Sequence, residues 1–157
     1  MTQLKVHSER LICAPANLVY HLFADFVNHH PRFLPPQFTN IQVLKGGYGA
    51  GTEYSFTSLF GGSARDFFMR VSEPEPGRVL VESDTCSALV TTITVNPEGA
   101  GSRVILETVW ESAGGLMGLL ETWFAPGMMR GMYEDELNRL ERYTQEQMRF
   151  GTAGIPA

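Results

Sequence analysis

The sequence predicts an α+β fold in which a curved antiparallel sheet of about seven strands wraps around one long C-terminal helix, with two short helices after strand 1. Three observations predict it. Period-two alternation dominates from residue 38 to residue 111, two short proline-bounded helical stretches precede it, and Gly114–Met148 reads as one long helix.

Leu4–Cys13 alternates, with Leu4, Val6, Ser8, Arg10 and Ile12 on one side, and forms strand 1. Ala14-Pro15-Ala16 ends it. Pro15 suits a first helical turn, and Leu18, Val19, Leu22, Phe23 and Phe26 mark a short amphipathic helix. Asn28-His29-His30-Pro31 interrupts that pattern. Pro31, Pro35 and Pro36 forbid a long second helix, so Arg32-Phe33-Leu34 belongs to a short helix or a turn.

Phe38–Lys45 is a strand, and the glycines at 46, 47, 49 and 51 make a turn. Thr52–Phe60 and Ser63–Ser72 form a hairpin around Gly61-Gly62, which sets Phe60 opposite Ser63. From that register, Tyr54, Phe56 and Ser58 share an aromatic-rich inner face with Arg65, Phe67, Met69 and Val71. Glu53, Ser55, Thr57, Asp66 and Arg70 take the outer face as a solvated charge mesh, with Leu59 and Phe68 as apolar exceptions. Pro74-Glu75-Pro76-Gly77 turns the chain. Arg78–Asp84, Ala88–Val95 and Arg103–Glu111 complete the strands, the last with Val104, Leu106, Thr108 and Trp110 on one side. Glu107 and Glu111 share the other side and point to water.

In the long helix, Met129, Met132, Tyr133, Leu137, Leu140 and Tyr143 fall at steps of three and four and make one apolar stripe. Asp135 and Arg139 are spaced for an ion pair on the polar side. Leu116, Met117, Leu119, Leu120, Trp123 and Phe124 nearly encircle the first half, and Pro126 predicts a kink or short break. About thirty helical residues span on the order of 45 Å, enough to cover a whole sheet. A sheet curved around one helix leaves space between them, and that space is the candidate site.

At 157 residues and a formal charge of −5, without basic or acidic runs, the chain reads as a single domain over residues 1–150 with a frayed tail at 151–157. The charge argues against a nucleic-acid surface. The chain shows neither a stretch of transmembrane length nor a signal-peptide pattern, so stable membrane insertion is not expected and a cytoplasmic protein is. Oligomeric state is not readable from the sequence. Cys13 and Cys86 lack zinc or redox spacing and are expected to be buried thiols.

Several local matches, in this order, resemble the START-like (SRPBCC) superfamily, which includes polyketide cyclases and dehydrases, lipid-transport domains and the pollen-allergen helix-grip fold. They are Glu9–Pro15, Val19–Asp25, His30–Pro35, Gly49-Ala50-Gly51-Thr52 and Gly99–Val104. Tyr20 stands where the family's Val-Trp-x-x-Leu-x-Asp helix has Trp. The resemblance covers nearly the whole chain and implies a deep cavity, a feature shared across many chemistries.

No catalytic constellation is readable. The four histidines His7, His21, His29 and His30 contain no HxxxH pair, so neither a metal set nor any other cofactor is expected. His29 and His30 read as solvated loop residues, with a place at the cavity mouth as the alternative. The glycines at 46–51 fail the spacing of a phosphate cradle. Ser8, Tyr54, Ser58 and Thr108 supply hydroxyls with no acid or histidine placed beside them by spacing. Arg65 points inward, as an anchor for a ligand carboxylate, as half of an internal ion pair, or as an end-of-strand side chain reaching solvent. Arg10 shares that ambiguity.

The expected partner is a small hydrophobic molecule, lipid- or polyketide-like, bound between sheet and helix. Its expected contacts are Phe26, Phe33, Tyr54, Phe56 and Arg65, then Phe67, Met69 and Trp110, and from the helix Leu120, Trp123 and Met128. Two alternatives are an enzyme of cyclase, aromatase or dehydratase type using the same cavity, and a protein-interaction module.

Overall fold

A computed structural model describes residues 2–60, 63–112 and 115–151, without the side chains of residues 60, 63 and 115–125. Seven strands form one antiparallel sheet: β1 Gln3–Ile12, β2 Phe38–Lys45, β3 Glu53–Phe60, β4 Ser63–Glu75, β5 Val79–Asp84, β6 Val90–Glu98 and β7 Gly101–Glu111. Helix α1 (Ala16–Ala24) and a single 3-10 turn, His30–Phe33, lie between β1 and β2, and α2 runs from Gly115 to Phe150. The spatial order is β1-β7-β6-β5-β4-β3-β2. Consecutive hairpins run from β2 to β7, and the N-terminal strand adds itself to β7 in an unbroken ten-residue register, Gln3 opposite Glu111 through Ile12 opposite Ser102.

The hairpin register is the predicted one, with Phe60 opposite Ser63 and Phe56 opposite Phe67. Gly61 and Gly62 themselves lie outside the described residues. On the outer face the charge mesh forms as expected, with Arg70 Nη2 3.2 Å from Glu53 Oε1 and Thr57 donating to Asp66 at 2.6 Å. The edge strand β2 shifts register on either side of Gln42–Val43, with Asn40 at φ 52 beside the first shift. Such bulges bend and twist an edge strand, which helps the sheet curl over its helix.

The glycine turn after β2 is built around one carboxylate. Glu73 accepts from Tyr20 Oη at 2.6 Å and from the Ala50 amide at 2.7 Å. A Cβ on Gly49 would stand 2.2 Å from Glu73 Oε1, and its φ is +62, so both space and backbone require glycine there.

Helix α2 lies against β1 and the 3-10 turn, and α1 against β6 and β7. Met132, Tyr133, Leu137 and Leu140 are buried, as the stripe predicts. The two leucines are essentially sealed from solvent, and burial of each contributes roughly 1.5–3 kcal/mol. Arg10 locks the helix to β1 through a 2.9 Å ion pair with Glu141 and a hydrogen bond to Asn138 Oδ1, so its role is structural. Asp135 and Arg139 pair at 3.0 Å. The helix continues through Pro126 without the break considered from the sequence. Proline's φ fits a helix, and the lost amide removes one hydrogen bond from a ladder held on both sides.

Both cysteines are exposed, against expectation. Cys13 follows the last inward residue of β1, Ile12, and therefore faces out; Cys86 sits in the turn between β5 and β6. No described helix is long and apolar enough to cross a membrane.

Candidate functional site

Four polar side chains, two of them from the inner face of the sheet, meet between the sheet and α2. Alternation along β5 points Glu82 inward in phase with Leu80, and β3 does the same for Tyr54. Glu136 lies within the apolar stripe of α2, between Met132 and Leu140, and the 3-10 turn delivers His30. All four are buried: His30 and Glu136 at 3 % exposure, Tyr54 at 6 %, Glu82 at 7 %. The imidazole stands between the two acids, with Nδ1 3.8 Å from Glu82 Oε1 and Nε2 3.9 Å from Glu136 Oε1. Tyr54 hydrogen-bonds Glu82.

Aromatic rings wall this cluster. Phe23 meets the His30 ring edge-on at 5.3 Å, Phe33 stacks on it at 5.3 Å, and Phe26 tilts against it at 4.8 Å. Phe26 also stacks on Tyr54 at 4.9 Å. Behind Tyr54 the stack continues through Phe56 to Phe67. Nearby, Tyr133 hydrogen-bonds Thr108, which bonds Thr91 at 2.7 Å.

Burial and charge compete at each titrating group. Burial pushes the Glu82 carboxyl up and the charge of Glu136 adds to it; His30 and the Tyr54 hydrogen bond pull back without cancelling the rise. Burial works against a charged His30, but the hydrogen bond with Glu136 and the fields of both acids outweigh it, so its pKa is raised. Burial, then Glu82, pushes the Tyr54 hydroxyl far above its ordinary value. Among the described buried side chains, His30 Nδ1 and Glu82 Oε1 lack hydrogen-bond partners, as does Gln37 Oε1. Asp84, one inward position further along β5, is by contrast satisfied by the Phe68 amide and by Ser87 Oγ.

Of the predicted contact residues, Phe26, Phe33, Tyr54, Phe56, Phe67, Met69 and Trp110 are buried within the core under α2. Leu120 and Trp123, with the rest of the apolar first half of α2, have side chains outside the described residues. Met128 does not join them. It is 45 % exposed, because its helical phase falls more than a quarter-turn from the centre of the stripe around Glu136 and Leu140. Arg65 is on the inner side, opposite Ser58, but beside the turn of the hairpin, where it is exposed. Its guanidinium lies 4.8 Å from the Phe67 ring centroid and makes no ion pair among the described residues. The end-of-strand alternative is the one observed.

His29 and His30 are not solvated loop residues, because the Asp25 carbonyl gathers both their amides and folds the segment under α2. Nor does Tyr54 lack an acidic neighbour. Glu82 and Glu136 are functional candidates that the sequence does not single out: alternation puts Glu82 in phase with the buried Leu80, and helical spacing puts Glu136 in the stripe of Met132, Tyr133 and Leu140.

A second polar group sits at the end of α1. His21, Asp25 and His29 are buried and offer ligand atoms within 4.8 Å of one another. His21 Nδ1 is 2.9 Å from Tyr48 Oη, and His29 Nδ1 is 2.7 Å from Tyr143 Oη. Burial pushes the Asp25 carboxyl up, but donors from Asn28 and Val27 and the neighbouring His29 hold it below its ordinary value. A search for HxxxH passes over this set because the two histidines are eight residues apart with the acid midway.

Comparisons with known proteins place this geometry. The structure of the KanY protein superposes with a TM-score of 0.81 at 33 % identity, covering 92 % of this chain and 99 % of that one. TTHA0849 from Thermus thermophilus gives 0.78 at 23 % identity, covering 91 % and 98 %. The Zhui aromatase/cyclase from Streptomyces sp. R1128 gives 0.70 at 20 % identity, covering 99 % and 100 %, a likeness of fold. No curated protein matches the chain. The sequence profile of the family described as polyketide cyclase / dehydrase and lipid transport matches residues 3–145, nearly the whole helix-grip fold, and the chain belongs to that family.

Proposed function

We propose that the protein binds a small hydrophobic molecule of lipid- or polyketide-like chemistry between the inner face of the sheet and α2, with one polar group of the ligand docked on Glu82 and His30. The observation that carries this reading is the pair of orphaned atoms, Glu82 Oε1 and His30 Nδ1, inside an aromatic wall. A buried polar atom without a partner costs roughly 1–3 kcal/mol, which a ligand that satisfies it recovers. At 3.8 Å the two atoms are too far apart to bond each other. An oxygen seated beside that line, at about 2.8 Å from each, exchanges hydrogen bonds with both. A ligand hydroxyl suits this place because it donates and accepts at once. Apolar surface on the rest of the ligand supplies affinity, at about 25 cal/mol per Å² before ordering costs.

Trp110 fluorescence and native mass spectrometry with naphthol, its methyl ether and naphthalene test the reading. Naphthol is expected to bind best, by roughly tenfold over naphthalene, and Glu82→Leu to bring the two together. Equal affinities for the wild type would remove the polar docking. No binding by any of the three, nor by a fatty acid, would remove the ligand site.

The buried acids favour a second reading, an enzyme of cyclase or dehydratase type. Loss of water from a β-hydroxy ketone needs a base at the acidic carbon and an acid at the departing hydroxyl. Glu82, with its raised pKa, is the acid in this reading, and Glu136 the base across the His30 ring. Conversion of a β-hydroxy ketone, followed by mass spectrometry, would be abolished in Glu82→Leu; no conversion by the wild type leaves binding alone.

A further inference from the structure

His21, Asp25 and His29 take no part in the interior reading, and their chemistry differs from it. We propose that they bind a divalent transition cation of the zinc type, with Nε2 of each imidazole and one carboxylate oxygen as protein ligands. Two nitrogens and one oxygen suit a borderline cation such as Zn2+, whereas Mg2+ and Ca2+ prefer sites made wholly of oxygen.

Three features of the surroundings support it. First, each ring has its Nδ1 on a tyrosine hydroxyl, Tyr48 for His21 and Tyr143 for His29. Metal-binding histidines characteristically spend their second nitrogen on such an outer partner, which fixes both the ring and its tautomer. Second, the carboxylate is aimed by three donors: Oδ1 accepts from the Val27 and Asn28 amides at 3.0 and 2.8 Å, and Oδ2 from Asn28 Nδ2 at 3.1 Å. Oδ1 is thereby fully used, and Oδ2 keeps a further lone pair for the cation. Third, all three residues are buried on a short stretch of chain, so the site is already gathered: one ligand on α1, one just after it, and one before the 3-10 turn. Metal–ligand bonds of about 2.0–2.2 Å set neighbouring ligand atoms of a tetrahedral site roughly 3.4 Å apart. The present spread of up to 4.8 Å therefore closes by up to about 1.4 Å on binding, within reach of side-chain rotation. A fourth position is left for solvent or another donor.

The alternative is a purely structural hydrogen-bond cluster fixing the turn after α1, and calorimetric titration of EDTA-treated protein with Zn2+ separates the two. One equivalent is expected to bind, with loss of at least ~100-fold in affinity in the His21→Ala/His29→Ala double variant. Tyr143→Phe is expected to weaken binding about tenfold, since it removes only an outer partner. His7→Ala should bind like the wild type; it probes the exposed His7, Glu9 and Glu107 group on the outer face of the sheet. Binding that survives in the double variant, or that disappears in His7→Ala, overturns the proposal. Should the double variant fail to fold, imidazole nitrogen resonances of the wild type decide. Zn2+ must shift those of His21 and His29, and unmoved resonances overturn it. None of these measurements involves an apolar ligand, so the site stands or falls apart from the interior reading.

Discussion

His29 and His30 are adjacent, and the carbonyl of Asp25 accepts both of their amides, at 3.2 and 2.8 Å. Their rings nevertheless serve two unlike clusters. His29 joins groups from its own short stretch, His21 and Asp25, and is steadied by Tyr143. His30 joins groups from three distant elements: Tyr54 on β3, Glu82 on β5 and Glu136 on α2. The first cluster is set by helical spacing and a turn; the second exists only once the sheet has formed and α2 has been laid on it. A site made of local spacing and one made of topology can thus share a backbone segment, and the two are expected to fail separately.

The largest expected effect removes what the two have in common. Phe23 sits on α1 between His21 and Asp25, is fully buried, and packs edge-on against both His30 and Phe33. Phe23→Ala is expected to cost ~3–5 kcal/mol in urea unfolding, through lost burial and the cavity left behind. A loss under about 1 kcal/mol would mean that the segment does not depend on this ring and that the clusters are held some other way.

The next effect separates them by pH. Glu82 faces His30 from the 3-10 turn, Glu136 and Tyr133 from α2, and Tyr54 from β3. Its carboxyl is raised above the ordinary 4.5, so the folded protein holds that proton more tightly than the unfolded chain. The stability this contributes is complete below the unfolded value and is lost as pH rises through the higher folded one. Glu82→Gln removes the dependence. Relative to the wild type, the variant should therefore gain stability as pH climbs above the ordinary carboxyl range, and show no such gain in acid. A difference that is flat with pH would show that Glu82 titrates normally and that burial has been offset.

The sequence made the strands, their order of appearance, the hairpin register and the stripe on α2 legible, because alternation and helical spacing are local and the Gly-Gly turn admits one register. Glu82 and Glu136 were legible in phase but not in consequence. Nothing in β5 alone says that an inward acid will meet a histidine from residue 30 rather than a solvent channel. His29 and His30 were misread because an Asn-His-His-Pro segment looks like an exposed loop, whereas the Asp25 carbonyl and carboxylate fold it into the core. Met128 was expected at the site, but its helical phase carries it off the stripe and into solvent.

Tyr143→Phe sharpens the comparison from the other side. It deletes the 2.7 Å bond to His29 and leaves the wall around His30, including the Phe33 contact at 5.7 Å, in place. A loss of ~1 kcal/mol is expected, the usual worth of one hydrogen bond. The response of the Glu82 pair to pH should be unchanged. If Tyr143→Phe altered that response, the two clusters would be coupled and the division between them would have to be given up.

The smallest effect concerns Arg65, which belongs to neither cluster. On the inner side it looks like a natural anchor for an acidic ligand, and a buried guanidinium there would demand such a partner. Beside the turn of the hairpin it has solvent instead, and what it gives the protein is a guanidinium laid over Phe67. An exposed contact of that kind is worth about 0.5–1 kcal/mol. Arg65→Ala should therefore lower stability by no more than that, and should weaken a fatty acid and its methyl ester by the same small factor. A carboxylate that lost far more affinity than its ester would put the ligand's head at the hairpin end, and would move the polar docking away from Glu82 and His30.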